Sequence, residues 1–514
     1  LKKELLSTFN QLISKYAIWI VFIFPSLISV CLILIPSVYP SLDGGSHIYN
    51  SHILKELILN KESPYSNYYE LNHVLVPNWL SHFILAGLLF LFSPAWALKV
   101  FLVALILSHL FFFYKIILKV NPANKILSII ILPFIFSSFF YVGLYNQQLS
   151  LVLFLAFAYW LLTYKTIAKP NLKFYAGLIL FSFLFWFSSI VTYSFFLIFI
   201  VIFFSINAYK SYTRVIDFFS IYLRLLVVFL PTLLLSLNFI NQVKMKGGEL
   251  PISVSKKLEL FIKLEPLITF DNPGESRFTL LLSMVLLILF VFGLLSGFKK
   301  NTMFTALVIS LLLLAILFIV VPNNAGAGML SYRLAMLFYF CFLLLIVAIN
   351  INFSWLFLVC TIVAGIHLGL VFKRHNGRIV DYAKVSQNFV EIGKQIPVGS
   401  TIWPIQFGHE WFLGHTNNWA SISNSCINYE NYETCYPWFP IRFKVTEQNK
   451  NTLYHKLRLE GNLKTYRFIP AQYLLVSGID NENETEIKAY LLNFENCRKV
   501  AQASDSSIRL YKLK

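Results

Sequence analysis

Apolar residues run along the chain in stretches of roughly 15 to 24, broken by short polar segments, at about 17–38, 78–92, 95–118, 126–142, 148–164, 174–189, 193–208, 225–240, 278–296, 303–321, 333–350 and 354–372. A hydrocarbon core about 30 Å thick needs about 20 helical residues to cross it, so most of these runs predict spanning helices. The run at 78–92, "NWLSHFILAGLLFLF", is short and carries Asn78 and His82 near its start. The basic loops "YKIILKVNPANK" (114–125), "YKTIAKPNLK" (164–173), "YKSYTR" (209–214) and "GFKKNT" (297–302) should face the cytosol by the positive-inside rule. If 78–92 crossed the bilayer, the three lysines of 114–125 would lie outside. Treating 78–92 as a re-entrant or interfacial helix repairs that loop and every later one. The expected fold class is therefore a polytopic α-helical membrane protein with about 11 spanning helices plus a short re-entrant/interfacial helix.

That parity puts the N-terminus in the cytosol, with an uncleaved first transmembrane helix, and assigns 39–77, 143–147, 189–192, 241–277, 322–332 and everything after 373 to the extracytoplasmic face. Within 241–277, "SKKLELFIKLEPLITF" has helical apolar spacing and suits an amphipathic helix on the membrane surface. A transmembrane domain should occupy 1–374 and a soluble extracytoplasmic α/β domain 375–514. In the latter, "DYAKVSQNFVEIGKQIP" and "NETEIKAYLLNF" predict helices, and "GSTIWPI", "QYLLVSG" and "SSIRLYKL" predict strands.

Composition agrees: 57% of the 514 residues are apolar and 13% charged, which excludes an ordinary soluble enzyme. The net charge of +18 lies largely in loops, where it sets topology and meets anionic lipid, and gives no reason to expect a nucleic-acid partner. Cys426 and Cys435, close together in a polar region, are candidates for a disulfide outside the cytosol. "HEWFLGH" places His409 and His415 six apart around Glu410, which is not the spacing of a zinc protease.

Candidate chemistry gathers where helices meet the outer face. "SLDGGSHIYNSHILKEL" (41–57) sets Asp43 at the mouth of a membrane helix. Asp43 reads either as a helix cap, with Gly44 and Gly45 ending the preceding helix, or as a functional carboxylate. Four of the ten histidines (His47, His52, His73 and His82) fall in this loop and the short helix after it. "GLYNQQLS" puts Tyr145, Asn146 and Gln147 at one helix junction, and "PNNAGAGMLSYRLAML" puts Tyr332 and Arg333 at another. An arginine there either snorkels to the interface or holds a phosphate in its planar fork.

This layout resembles the GT-C superfamily of integral-membrane glycosyltransferases. The resemblance rests on the first helix, the loop opened by Asp43 in "YPSLDGGSHIYNSHIL", the dipping helix after "VPNWLSH", the short "GLYNQQLS" loop, the late "SYRL" arginine and the C-terminal domain. It implies transfer of a sugar from a polyprenyl phosphate or diphosphate to a lipid, glycan or protein acceptor outside the cytosol, in a bacterial inner membrane. Carried over, Asp43 is the base with His47 beside it. Arg333, Tyr145, Asn146, Gln147, Tyr332 and His82 are the substrate-binding candidates. Many members have a second acid beside the first and another in the second loop. Here Gly44-Gly45-Ser46 follows Asp43 and "GLYNQQLS" has no acid, which argues against a tightly held hard divalent metal, so no residue is assigned to one. Glu265, Asp271 and Glu275 are the acids available to compensate. The rival readings are a transporter or flippase of a lipid-linked substrate, which internal repeats and midplane charges would favour, and a non-catalytic membrane scaffold.

Overall fold

A computed structural model describes residues 19–164, 170–211, 215–242, 252–270, 273–298, 301–323, 328–349, 354–408, 410–460, 471–494 and 497–513. The chain divides into two compact units. One comprises Ile33–Leu102, Tyr141–Leu144 and Arg374–Lys514; the other comprises Leu1–Leu32, Val103–Phe140 and Tyr145–Lys373.

The unit holding the C-terminal residues begins with helix α1, Gly44–Leu59, whose first eight residues are all buried. Helix α2, Leu80–Leu88, follows a left-handed turn at Asn78 (φ 71°), a conformation asparagine tolerates better than most residues. Nine residues rise only about 13 Å, less than half a hydrocarbon core, so the helix in the 78–92 run is too short to cross. Strand β1, Tyr69–Leu71, leaves the loop between these helices and later receives an antiparallel partner from the C-terminal part.

After a helix at Val380–Gly393 come β2 (Thr401–Gln406), β3 (Ile427–Asn428), β4 (Ile441–Phe443), β5 (Tyr473–Ser477), β6 (Arg498–Gln502) and β7 (Ile508–Lys512). Strand β4 pairs with β1, and the others form a five-stranded sheet in the order β3-β2-β5-β7-β6. Strands β3, β2 and β5 run parallel, while β7 is antiparallel to both β5 and β6. The parallel centre explains the unbroken apolar sequence of β5, all five residues of which are buried. Pro404 sits within β2 beyond the point where β3 stops pairing, at Ile402, so its missing N–H leaves no strand partner waiting on that flank. Cys426 and Cys435 are free thiols, not the disulfide considered from sequence.

Across the described residues eight helices are long and apolar enough to cross a membrane: Pro94–Val120, Tyr145–Thr163 (α3), Ile190–Lys210, Phe219–Asn241, Pro273–Ser296, Thr302–Val320, Leu330–Val347 (α4) and Leu358–Gly393. Three shorter apolar helices, Phe24–Leu34, Pro122–Ile135 and Leu172–Ser188, lie where the sequence predicts the other three spans. The run at 126–142 is not one helix. A 3-10 stretch at Pro122–Ile131 is followed by short helices at Leu132–Ile135 and Ser138–Val142, with Pro133 and Phe136 (ψ 42°) marking the breaks. Phe219–Asn241 exposes Leu223, Leu226, Leu230, Leu234 and Leu237, a stripe at helical spacing that suits lipid. In the segment read as amphipathic, the helix Val254–Ile262 exposes Val254, Leu258 and Ile262. Its Lys257 turns inward and donates to the carbonyls of Phe318 (3.1 Å), Ile319 (3.1 Å) and Val321 (2.6 Å), satisfying groups that a helix end leaves open.

Candidate active site

Asp43 stands immediately before α1, but its side chain makes no capping hydrogen bond and its backbone (φ −95°, ψ −6°) is helical. The main chain holds it: its N–H donates to Val142 O (2.9 Å) and its carbonyl accepts the His47 N–H (2.9 Å). Gly143 makes this approach feasible. Its φ is +92°, and a Cβ there would stand 3.2 Å from Gly44 N and 3.3 Å from Asp43 Cβ. Gly45 is similarly constrained, because a Cβ would lie 3.0 Å from His415 O and 3.3 Å from the Trp419 ring. Gly45, one of the two glycines that read as a turn signal, and Gly143 therefore let other backbone segments close on the start of α1.

The Asp43 carboxylate is 13% exposed and lies 3.8 Å from His415 Nε2. Burial raises its pKa above the usual aspartate value, an effect that His415 and His47 partly offset. His415 donates its Nδ1–H to Glu430 (2.7 Å) and stacks on Tyr432 at 4.2 Å. Burial, reinforced by Arg458, pushes the His415 pKa down to about 3, so the ring is neutral at ordinary pH. Arg458 pairs with Glu430 and donates to Gly414 O (2.7 Å). Asn418 donates to Ser46 Oγ (3.0 Å) and Glu430 Oε2 (3.3 Å), while Asn50 and Asn431 exchange amide hydrogen bonds of 2.8 and 2.9 Å. One face of α1 is thus bound to the loops between β2 and β4 by buried polar pairs.

On α1, His47 donates its Nε2–H to Gly143 O (2.9 Å), and its Nδ1 lies 2.8 Å from Glu433 Oε1 and 3.2 Å from His82 Nε2. His82, on α2, lies 2.9 Å from Glu433 Oε2. Burial opposes charge on Glu433, but the two histidines outweigh it and hold that carboxyl down to about 2. The Glu433 carboxylate, ahead of Asp43, likewise raises the His47 pKa against its burial.

The remaining candidates belong to the other unit. Tyr145, Asn146 and Gln147 are buried in the first turn of α3. Gln147 Oε1 accepts from Ser189 Oγ (2.9 Å) and from Arg333 Nη1 (3.0 Å), and Arg333 Nε donates to Gly328 O (2.8 Å). Tyr332 donates to Glu265 Oε2 (3.2 Å), which brings one compensating acid beside a predicted site residue. Glu275 instead accepts the Thr269 (2.8 Å) and Phe270 (3.3 Å) N–H groups, a turn-closing role. Asp271 and His409 lie outside the described residues. Glu410 accepts from Phe412 N (3.5 Å).

No family model matches the sequence, and no curated protein matches it. Among solved structures the chain is similar to ArnT from Cupriavidus metallidurans, determined by crystallography in the apo state. The likeness covers 97% of this chain and 98% of that one at a TM-score of 0.51, with 9% sequence identity. The chain therefore shares the fold of that protein. Within it the structure brings Asp43, His47 and His82 together, and separately joins Arg333 to Gln147. Sequence reading missed Glu430, Tyr432, Glu433 and Arg458. A signal was present in "NYENYETCYPW", where two of only 24 acids stand among amides and aromatics.

Proposed function

We propose that the protein is a glycosyltransferase of the bacterial inner membrane, moving a sugar from a polyprenyl phosphate or diphosphate to a lipid, glycan or protein acceptor on the extracytoplasmic side. The N-terminus is cytosolic and the C-terminal domain extracytoplasmic. The observation that carries this reading is the Asp43 carboxylate, largely buried on the fold shared with ArnT, uncapped, and facing a neutral histidine.

Asp43 is the base. The acceptor oxygen forms a bond to the anomeric carbon, and the bond from that carbon to the phosphate oxygen breaks. The acceptor proton passes to Asp43, and the leaving phosphate keeps the electron pair. Burial makes the carboxylate a stronger base than free aspartate, which helps proton abstraction near neutral pH. His47, oriented by Gly143 O, braces the first turn of α1, and His82 braces His47. Arg333 supplies a planar fork for the donor phosphate, and Gln147, held by Ser189, orients that fork. Tyr145, Asn146 and Tyr332 lie on the same two helices and bind the sugar-phosphate end of the donor. An apolar cavity of about 370 Å³, lined by Phe195, Leu314, Leu330 and Leu334 among others, flanks the Arg333 turn of α4 and suits an isoprenoid chain.

Membranes carrying the wild type or Asp43→Asn, at equal abundance, should be offered a panel of polyprenyl-phosphate sugars. The substitution keeps the shape and removes the base, so turnover should fall by about 10²–10⁴-fold. Equal turnover would return Asp43 to a structural role and sink the proposed mechanism.

A further inference from the structure

We propose that His47 Nδ1, His82 Nε2 and the Glu433 carboxylate form a binding site for a divalent transition-metal ion of the zinc class. The three donor atoms lie within 4.8 Å of one another, and their residues are 5% exposed or less. They come from α1, from α2 and from the 3-10 turn Tyr432–Cys435, three segments of one compact unit. The inference rests on that unit alone and does not depend on the transferase reading.

The donor chemistry is specific. His47 gives its Nε2–H to the Gly143 carbonyl, which in the neutral ring leaves Nδ1 as a lone pair aimed at the group. A backbone acceptor on the remote ring nitrogen is how metal-binding histidines are commonly oriented, with the carbonyl fixing the tautomer and raising the basicity of the ligating nitrogen. His82 Nε2 lies 2.9 Å from Glu433 Oε2 and carries a proton to that carboxylate when no ion is bound; an ion there moves the ring's proton to Nδ1, which has no hydrogen-bond partner among the described residues. The lone pair of His47 Nδ1 then faces Glu433 Oε1 at 2.8 Å. Two acceptors that close need a positive centre between them. A proton on His47 meets that need for one pair of atoms, whereas an ion meets it for all three ligands.

Two imidazoles and one carboxylate, with a fourth position for water or substrate, are a zinc donor set. Bonds of about 2.0–2.2 Å around a tetrahedral ion put neighbouring ligand atoms about 3.3 Å apart. The separations of 2.8 Å (His47 Nδ1 to Glu433 Oε1), 2.9 Å (His82 Nε2 to Glu433 Oε2) and 3.2 Å (His47 Nδ1 to His82 Nε2) engage both carboxylate oxygens and are all shorter than that spacing, so the ligands spread slightly to admit the ion. Magnesium and calcium are poorly matched, since they favour several oxygen ligands and this group offers one carboxylate. The lack of neighbouring acids in the first loop therefore counts against a hard cation and leaves this nitrogen-rich site untouched. The ion ties α1 to α2 and to the turn after β3, fixing the helix turn that follows Asp43. It acts there as a positioning element.

The test uses untagged full-length protein in detergent, stripped with a chelator, exchanged into zinc or cobalt, and freed of excess ion. Element analysis should find about one zinc per chain, and cobalt should give the visible bands of a tetrahedral nitrogen–oxygen site. Zinc should raise the thermal midpoint of the stripped wild type, and chelator should reverse the rise. Glu433→Gln and His82→Asn should weaken zinc binding at least about tenfold, while the exposed His73→Asn should bind as the wild type. If the variants fail to fold, the wild-type cobalt spectrum and midpoint shift decide. A stripped wild type that takes up neither ion, with no change in midpoint, overturns the proposal and leaves a proton between His47 and Glu433. Variants that bind zinc as tightly as the wild type overturn it too.

Discussion

Gly143→Ala would strain the backbone that presents both Asp43 and His47. At φ +92°, an L-residue pays about 1–2 kcal/mol for the left-handed conformation. The new Cβ would also stand 3.2 Å from Gly44 N and 3.3 Å from Asp43 N, and main-chain atoms cannot swing aside as a side-chain tip can. Relief requires the 142–144 segment to withdraw by a few tenths of an ångström. That stretches two bonds, Asp43 N–H to Val142 O and His47 Nε2–H to Gly143 O, both 2.9 Å. At a net value of about 0.5–1.5 kcal/mol per bond, partial loss brings the total to about 2–4 kcal/mol. Gly297 supplies the control, with φ +84° and nothing within 4 Å of a new Cβ, so Gly297→Ala should cost only the dihedral part. Thermal midpoints in one detergent should rank wild type, Gly297→Ala, Gly143→Ala from highest to lowest. Lipid-linked sugar turnover should drop at least tenfold in Gly143→Ala alone. Matching midpoints for the two variants, together with wild-type turnover in Gly143→Ala, would refute the claim that this close approach positions the site.

Three further outcomes are expected. Arg333→Lys keeps the charge but cannot reach Gln147 Oε1 and Gly328 O with one fork, so KM for the lipid-linked donor should rise more than kcat falls, and Arg333→Met should be worse on both counts; wild-type kinetics in the methionine variant would remove Arg333 from the donor site. Glu430→Gln leaves the part-buried Arg458 guanidinium without its carboxylate and should cost about 1.5–3 kcal/mol, whereas Asp381→Asn breaks a pair whose side chains are 71% and 70% exposed and should cost less than about 1 kcal/mol; equal midpoints would show that Glu430 does not anchor Arg458. In a background lacking native cysteines, an impermeant thiol reagent applied to intact cells should label Lys384→Cys and should label Tyr209→Cys only after permeabilisation; the opposite pattern would invert the orientation.

The spanning architecture was legible because hydrocarbon imposes one simple demand on the length of an apolar helix. The shortness of 78–92 together with loop-charge parity marked it as non-spanning, and the nine-residue helix there agrees. The run at 126–142 misled for a related reason: hydropathy counts apolar residues and is blind to Pro133 ending one turn and starting another. The polar centre was only half legible. Asp43, His47 and His82 stood out as polar groups in an apolar setting, and all three do lie together. Glu430, Glu433 and Arg458 could not be linked to them by any spacing rule, because they come from a domain more than 300 residues further on. Their pairing is set by tertiary packing of α1 against the loops between β2 and β4, through partners such as Asn50 and Asn431.

The local geometry also counts against the capping reading of Asp43. A capping aspartate adopts an extended backbone and spends its carboxylate on the N–H groups of the first helical turn. Asp43 instead has ψ −6°, already helical, and its side chain makes no such bond. The start of α1 is held by other means: the Val142 carbonyl takes the Asp43 N–H, the Gly44–Gly45 pair admits neighbouring backbone, and Asn418 bonds Ser46. With the helix start supported this way, the carboxylate is released from structural work. It is buried against a neutral histidine, an arrangement that costs stability through desolvation. A fold retains such a cost without difficulty only when the charge is paired or used; the Tyr432 hydroxyl donates to the carboxylate, while the 3.8 Å to His415 Nε2 is too long for a hydrogen bond. One hydroxyl donor leaves acceptor capacity on the carboxylate, which is the part the proposed acceptor hydroxyl fills.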